Sequence, residues 1–406
     1  MKLSKFGLPK KVIVCKKCVM TNQKPHSLNE TKNKTNSKKK GMEFNKDDIC
    51  AACRYSFVKE KKINWKNREL ILKNFLKKYR KNDGSYDCIV PGSGGKDSMY
   101  AAYILKKKFG MNPLTVTFSP IQYTEIGWQN MRSWIDKGGF DNILFSPNGK
   151  IVKILAREAF KNLLHPMQPF KFGIKNFAAK EALKHNIKLI FYGEPYSEYG
   201  SDSSKKVLKA DYPKEWYVNN SKEIYLGGKK LNYYYKKYKI KKKELLPFLD
   251  LDTFISHSKT NFKLSDIDKI KVQFLGWYLK WDPQEIYYNA VKHCGFRPDS
   301  ERVNGTYGRY SGIDDKFEWI HFYCQYLKFG LARVRFEAAQ EIRNGHITRS
   351  EGLALCKKFE NEFPKRYFKD CMDFMGINEK EGLKIMDKFR PPHLWKKSAN
   401  GWKKIQ

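Results

Sequence analysis

The chain has 406 residues, 41% hydrophobic and 15% aromatic, which excludes a disordered or collagen-like polypeptide. Lys and Arg total 80 against 42 Asp and Glu, a formal net charge of +38. That surplus suits a polyanionic partner (nucleic acid, an anionic membrane or a phosphorylated substrate) or a lysine-biased surface, and no apolar run reaches the roughly 20 residues needed for membrane insertion.

Met1-Lys2-Leu3-Ser4-Lys5 leads into no apolar signal segment, so a cytoplasmic location is expected. Nine cysteines in such a chain are expected to be thiols or metal ligands, not a disulfide framework. Four of them form Cys15-x-x-Cys18 and Cys50-x-x-Cys53. Two such knuckles supply the four soft thiolates that tetrahedral Zn²⁺ prefers. A redox C-x-x-C and an iron–sulfur ligand set are the rivals. Residues 29–40, almost wholly polar, read as a mobile Lys/Asn-rich loop, and residues 1–62 as a zinc-binding module.

Residues 63–80 carry apolar side chains near helical spacing. A strand at Cys88-Ile89-Val90 then runs into Pro91-Gly92-Ser93-Gly94-Gly95-Lys96-Asp97-Ser98, and a helical pattern continues to Gly110. Strands follow at 114–118, 143–145 and 189–192, alternating with helices at 126–137, 150–164 and 174–185. This alternation predicts an α/β unit over residues 63–200, a parallel sheet with helices on both faces. Residues 201–262, rich in Lys, Tyr and Ser, read as an insertion. Residues 263–406 read as mainly helical, with helices at 266–280, 284–293, 315–344, 349–360 and 379–388.

The string Ser93 to Ser98 carries the sharpest chemistry. Its glycines allow a tight turn and close approach to an anion. The free N–H groups of the following helix favour phosphate. Ser93 and Ser98 add hydroxyl donors, Lys96 a positive charge, and Asp97 suits Mg²⁺ beside a phosphate. It is neither a G-x-x-x-x-G-K-[ST] loop nor a G-x-G-x-x-G turn. The histidines form no H-x-x-x-H pair, so none is proposed as a metal ligand.

Ser93-Gly94-Gly95-Lys96-Asp97-Ser98 resembles the S-G-G-x-D-S signature of the PP-loop ATP pyrophosphatases. The resemblance implies that Pro91, Gly92, Ser93, Gly94, Gly95, Lys96, Asp97 and Ser98, with Thr117 and Gly193, bind ATP. Cys15-Lys16-Lys17-Cys18-Val19-Met20 and Ile49-Cys50-Ala51-Ala52-Cys53 resemble the opening of the N-acetyl sugar amidotransferases. So do Gln168-Pro169-Phe170-Lys171-Phe172-Gly173, Tyr192-Gly193-Glu194-Pro195 with Glu198-Tyr199-Gly200, Gly312-Ile313-Asp314-Asp315 and Lys328-Phe329-Gly330. The likeness spans residues 15 to about 360. The departures are a long gap between the cysteine pairs, a larger insertion at 201–262, and Leu331-Ala332-Arg333 where a Gly-Arg is expected.

The resemblance implies an ATP-dependent amidotransferase that turns the N-acetyl group of an acidic or nucleotide-activated sugar into an acetamidine, for bacterial surface polysaccharide. It assigns Asp97 to Mg²⁺, and Lys328 and Arg333 to the departing pyrophosphate. Lys96 and Glu194 complete the expected catalytic set, Glu194 holding metal or substrate. Asp314-Asp315 reads as a helix N-cap. No glutaminase triad is evident, so ammonia is expected from a separate glutaminase subunit. The competing reading is a tRNA-modifying PP-loop enzyme. Residues 228–243, with eight lysines, four tyrosines and no acid, suit nucleic acid.

Overall fold

Strand β1 (Cys88–Pro91) is the centre of a sheet completed by β2 (Pro113–Phe118), β3 (Asn142–Phe145), β4 (Leu189–Tyr192) and β5 (Lys271–Phe274). The order is β3-β2-β1-β4-β5 and every pairing is parallel. These relations come from a computed structural model, which describes residues 3–26, 34, 35, 37–200, 210, 218, 223–399 and 401–405. Residues 29–33 and 36 of the expected mobile loop, and much of the first part of the 201–262 insertion, lie outside the described residues.

The central strands are apolar on both faces, as a parallel sheet covered on both sides requires. Ile89 and Ile190 enter one core. Cys88, Val90, Leu189 and Phe191 enter the other. Helix Gln168–Lys184 lies over the first face. It is buried nearly all round, with Phe170, Phe177, Ala178 and Ala182 against the sheet side. Helices Lys96–Lys107 and Pro283–Cys294 cover the second face and pack on each other. Met99, Ala102 and Leu105 from one meet Ile286, Ala290 and Cys294 from the other.

Two expectations for the C-terminal half are corrected. Residues 266–280 are not one helix. They form a 3₁₀ turn (Leu264–Lys269), strand β5 and a short helix (Leu275–Tyr278). Val272 and Phe274 alternate into the sheet, and the open edge of β4 supplies the hydrogen-bond partners that decide for strand. Residues 315–344 are two helices, Lys316–Phe329 and Arg333–Asn344. Gly330 takes φ +68° and ends the first with a left-handed cap. Helices Ala51–Lys61 and Lys365–Met375 and the hairpin of Trp395–Ser398 with Gly401–Lys404 were not foreseen.

The described part of the insertion holds the helices Leu231–Tyr238 and Leu251–His257. It is pinned to the sheet domain by buried Lys180, whose ammonium donates to the carbonyls of Leu246, Pro247 and Leu249 at 2.8–3.1 Å. No helix among the described residues is long and apolar enough to cross a membrane.

Candidate active site

The order of the strands reverses between β1 and β4, and open α/β sheets place ligands where that crevice opens at the carboxyl ends. The loop after β1 carries the Ser-Gly-Gly-Lys-Asp-Ser string, and the loop after β4 carries Gly193-Glu194. Two glycines of the first loop are forced by packing. A Cβ on Gly92 would run into the Ser98 side chain. Gly94 has φ +82°, and a Cβ there would lie 2.7 Å from the Met131 backbone. Gly95 caps helix Lys96–Lys107, so that helix's first N–H groups face the loop. Ser98 Oγ donates to Gly95 O at 2.9 Å, Ser93 Oγ to Asp314 Oδ2 at 2.6 Å, and Lys96 Nζ to Asp97 Oδ1 at 2.8 Å.

Glu194 stands across from this loop. Both its oxygens are held: Tyr199 OH donates to Oε2, and Gln340 Nε2 donates to Oε1 at 2.5 Å. Burial pushes the Glu194 carboxyl up to about 8, and the neighbouring charge of Asp97 adds to the rise. Asp97 and Glu194, two acids on the wall of one cavity beside a phosphate-type loop, would suit a divalent cation.

Ser93, Gly95, Lys96, Asp97, Glu194 and Arg333 all line one cavity of about 540 Å³, within the usual range for ligand sites. Arg333 donates Nε to Glu337 Oε1 at 2.8 Å and lies 4.4 Å over the Phe322 ring. Five basic residues (Lys24, Lys96, Lys171, Lys175, Arg333) and five acidic ones (Asp97, Glu194, Asp314, Glu318, Glu337) line the cavity. In a chain of net charge +38 the cavity wall therefore carries equal numbers of basic and acidic residues.

Lys328 stands apart from this cavity. Its Nζ donates to Leu163 O at 2.9 Å, and it borders a separate small cavity beside His165. The break at Gly330 turns Lys328 and Arg333 to different surroundings, so the expected pair does not form. Thr117 is fully buried, and its Oγ1 accepts from Asn142 Nδ2 at 3.1 Å. It does not line the cavity, and neither do Pro91, Gly92, Gly94, Ser98 and Gly193, which frame the loops behind the wall. A Cβ on Gly193 would meet the Trp281 ring at 2.6 Å. Of the Asp314-Asp315 pair, Asp315 is the N-cap, accepting from Phe317 N at 2.9 Å, while Asp314 faces the cavity. Lys24, Lys171, Lys175, Tyr199 and Gln340 were not foreseen as cavity residues. Lys171 and Tyr199 stand in strings that resemble the family, the available signal.

The four N-terminal cysteines converge. Their sulfurs all lie within 4.8 Å of one another, with Cys15–Cys53 at 3.8 Å and Cys18–Cys50 at 3.7 Å. A tetrahedron of thiolates about 2.3 Å from zinc has edges of roughly 3.8 Å, so the set fits one tetrahedral ion. Backbone N–H groups of Lys17 and Met20 donate to Cys15 and Cys18 sulfurs at 3.4 Å, and Cys50 N donates to Cys15 Sγ at 3.4 Å. A cluster of several irons needs its cysteines further apart. Cys88, Cys294, Cys324, Cys356 and Cys371 are buried singly.

The parallel sheet flanked by helices, with its Ser-Gly-Gly-Lys-Asp-Ser loop at the reversal point, defines an α/β protein with a phosphate-type loop. Residues 304–406 match the family model of the LPS biosynthesis protein WbpG-like, C-terminal domain. The match covers about a quarter of the chain and lies wholly in its mainly helical C-terminal region. The uncharacterized protein MJ1599 of Methanocaldococcus jannaschii is 35% identical over 82 residues, 20% of this chain. That match spans 29% of the relative's own length. NMN synthetase from Francisella tularensis aligns over 59% of this chain and 89% of its own, with 14% identity and a TM-score of 0.25. The NH3-dependent NAD synthetase from Campylobacter jejuni aligns over 59% of this chain and all of its own, with 13% identity and a TM-score of 0.26.

Proposed function

We propose that this chain is an ATP-dependent amidotransferase of surface-glycan biosynthesis, converting the N-acetyl group of an acidic or nucleotide-activated sugar into an acetamidine. One observation carries the reading: Ser93, Lys96 and Asp97 of the Gly-rich loop share a cavity with Glu194 and with Arg333 of the WbpG-like C-terminal region. The loop N–H groups, the Ser93 hydroxyl and Lys96 would hold ATP's phosphates. Asp97 and Glu194 would hold Mg²⁺, which supplies charge neutralisation at the transferring phosphoryl group.

An amide carbon is a poor electrophile, and its oxygen a poor leaving group. Attack of the amide oxygen on the α-phosphorus makes an O–P bond and releases pyrophosphate. Ammonia then adds to the activated carbon, the nitrogen sheds a proton, and AMP departs with the former amide oxygen. The chain supplies no covalent nucleophile in this scheme. Its residues position the two reactants and stabilise charge. Lys24, Lys171, Lys175 and Arg333 give the far wall cations for an anionic substrate. Ammonia would come from a separate glutaminase subunit.

The tyrosines of residues 228–243 speak against base stacking there. Tyr234 is fully buried, and the rings of Tyr233, Tyr234 and Tyr238 pack on one another, so three of the four are used in packing. The test is incubation with ATP, Mg²⁺, ammonium chloride and a panel of UDP-linked and free acidic N-acetyl sugars. The expected result is AMP and pyrophosphate, with exchange of the amide oxygen for nitrogen seen by mass spectrometry. AMP formation stimulated by tRNA, and by none of the sugars, would overturn the proposal.

A further inference from the structure

We infer that the four-cysteine module is a wall of the active site, and that Lys59 is a positioning residue acting on Glu194 through Glu198 and Tyr199. The chain of contacts begins at the cysteines. Helix Ala51–Lys61 starts on Cys50 as its N-cap and carries Cys53 in its first turn. Two turns later the same helix buries Lys59 completely. Lys59 Nζ donates to both oxygens of Glu198, at 3.1 and 3.3 Å, to Trp281 O at 2.9 Å and to Asn344 Oδ1 at 2.9 Å. Glu198 is itself 2% exposed at the side chain, so this ion pair is shut off from water. Removing one partner of such a pair strands the other charge.

Each bond on Glu194 leads back to that ammonium. Tyr199, which donates to Glu194 Oε2, is the residue after Glu198. Gln340, which donates to Oε1, sits one helical turn before Asn344, and Asn344 Nδ2 donates to Gln340 O at 3.0 Å. The same helix carries Arg343, whose Nη2 donates to Glu198 O at 2.9 Å. The Arg343 guanidinium lies buried beside Cys18, Cys50 and Cys53, and its Nε and Nη1 have no hydrogen-bond partner among the described residues. A dication held by four thiolates would carry net negative charge, and Arg343, the Glu198 backbone's donor, would be its counter-charge. Gly200 completes the fit, with φ +61° and room for no Cβ against Ala52 N, 2.8 Å away. Lys24 and Pro25, from between the cysteine pairs, reach the cavity itself.

This inference rests on the reading of Glu194 as a ligand of Mg²⁺-ATP, and the test separates the two. ATP binding to the full-length protein is measured by calorimetry with and without Mg²⁺ for wild type, Glu194→Gln, Lys59→Met and the double variant, with zinc content assayed in each. Outer-shell partners of metal ligands cost about 10–100-fold when removed. Lys59→Met is therefore expected to weaken Mg²⁺-dependent ATP binding at least tenfold, about as much as Glu194→Gln, with zinc content and Mg²⁺-free binding unchanged. The double variant is expected to bind no worse than either single one, as residues acting through one group are not additive. Glu198→Gln, which keeps the shape and drops the charge, is expected to show the same loss and carries the test if Lys59→Met does not fold. Wild-type Mg²⁺-ATP affinity in Lys59→Met and Glu198→Gln, or losses that multiply in the double variant, would overturn the inference alone. A wild-type protein that binds no Mg²⁺-ATP overturns the underlying site reading too.

Discussion

Ser93 Oγ donates to Asp314 Oδ2 at 2.6 Å, across 221 residues of sequence. The bond fastens the Gly-rich loop to the entrance of helix Lys316–Phe329. Asp315 reinforces it by accepting from Ile121 N at 2.6 Å and Gln122 N at 3.3 Å, in the segment after β2. The helical region therefore docks on the carboxyl ends of the strands and closes the cavity. Neither half has the site alone.

In the proposed reaction Asp97 is the acid on the loop that holds ATP's phosphates, where charge develops. Asp97→Asn is expected to lower sugar-dependent AMP formation by about 10²–10³-fold. Its thermal midpoint should stay close to wild type, because Asp97 is half-exposed. An AMP rate within a factor of a few of wild type would remove Asp97 from the chemistry.

Glu194 gives a pH signature. Burial and Asp97 raise its folded-state value to about 8, from an ordinary value of 4.5. The folded protein without Mg²⁺ thus holds more protons than the unfolded chain between those values. The stability from this group is present below about 4.5 and is lost as pH rises through about 8. Mg²⁺ must displace that proton, so Mg²⁺ affinity should rise with pH up to about 8 and then level off. Calorimetry in buffers of different ionisation enthalpy should show proton release on Mg²⁺ binding, absent in Glu194→Gln.

Lys328 and Arg333 are expected to part company. Lys328→Met leaves the Leu163 carbonyl without its donor, at a cost of about 1–3 kcal/mol in unfolding free energy. Its ATP affinity should match wild type. Arg333→Met should weaken binding of the anionic substrate or pyrophosphate and change KM or product inhibition. Equal loss of pyrophosphate affinity in both variants would restore the pairing expected from the sequence.

Metal removal should act on the wall of the cavity before it acts on the sheet. Structural zinc in small modules is worth about 10–16 kcal/mol of folding free energy. Chelation, or Cys18→Ser, is expected to release the zinc and expose residues 3–26 and 37–61 to proteolysis. Mg²⁺-ATP binding should fall with it. Proteolysis unchanged after complete zinc loss would show that the module holds itself together.

Much of the fold was legible because its rules are local. β1 to β4 and their helices follow from short apolar runs alternating with helical patterns, and the loop after β1 from glycines in a fixed order. β5 was not legible. Lys271–Phe274 lies between a 3₁₀ turn and a short helix, so its apolar spacing mimics one long helix. Only the free edge of β4 makes it a strand. Lys328 and Arg333 look like neighbours on one helix until Gly330 ends it.

The sequence by itself determined the phosphate-type loop and the four-thiolate set, since each needs particular residues at short spacing and little else. It also announced the charge of +38, which the cavity does not explain, with five basic and five acidic residues on its wall. Tertiary structure alone decided which side chains face that loop. Tyr199 and Gln340 were added to the expected Glu194 and Arg333, and Lys59, fully buried behind them, came from a further distant segment. A buried charge interacts strongly with whatever packing puts next to it, and sequence spacing carries no record of that neighbour.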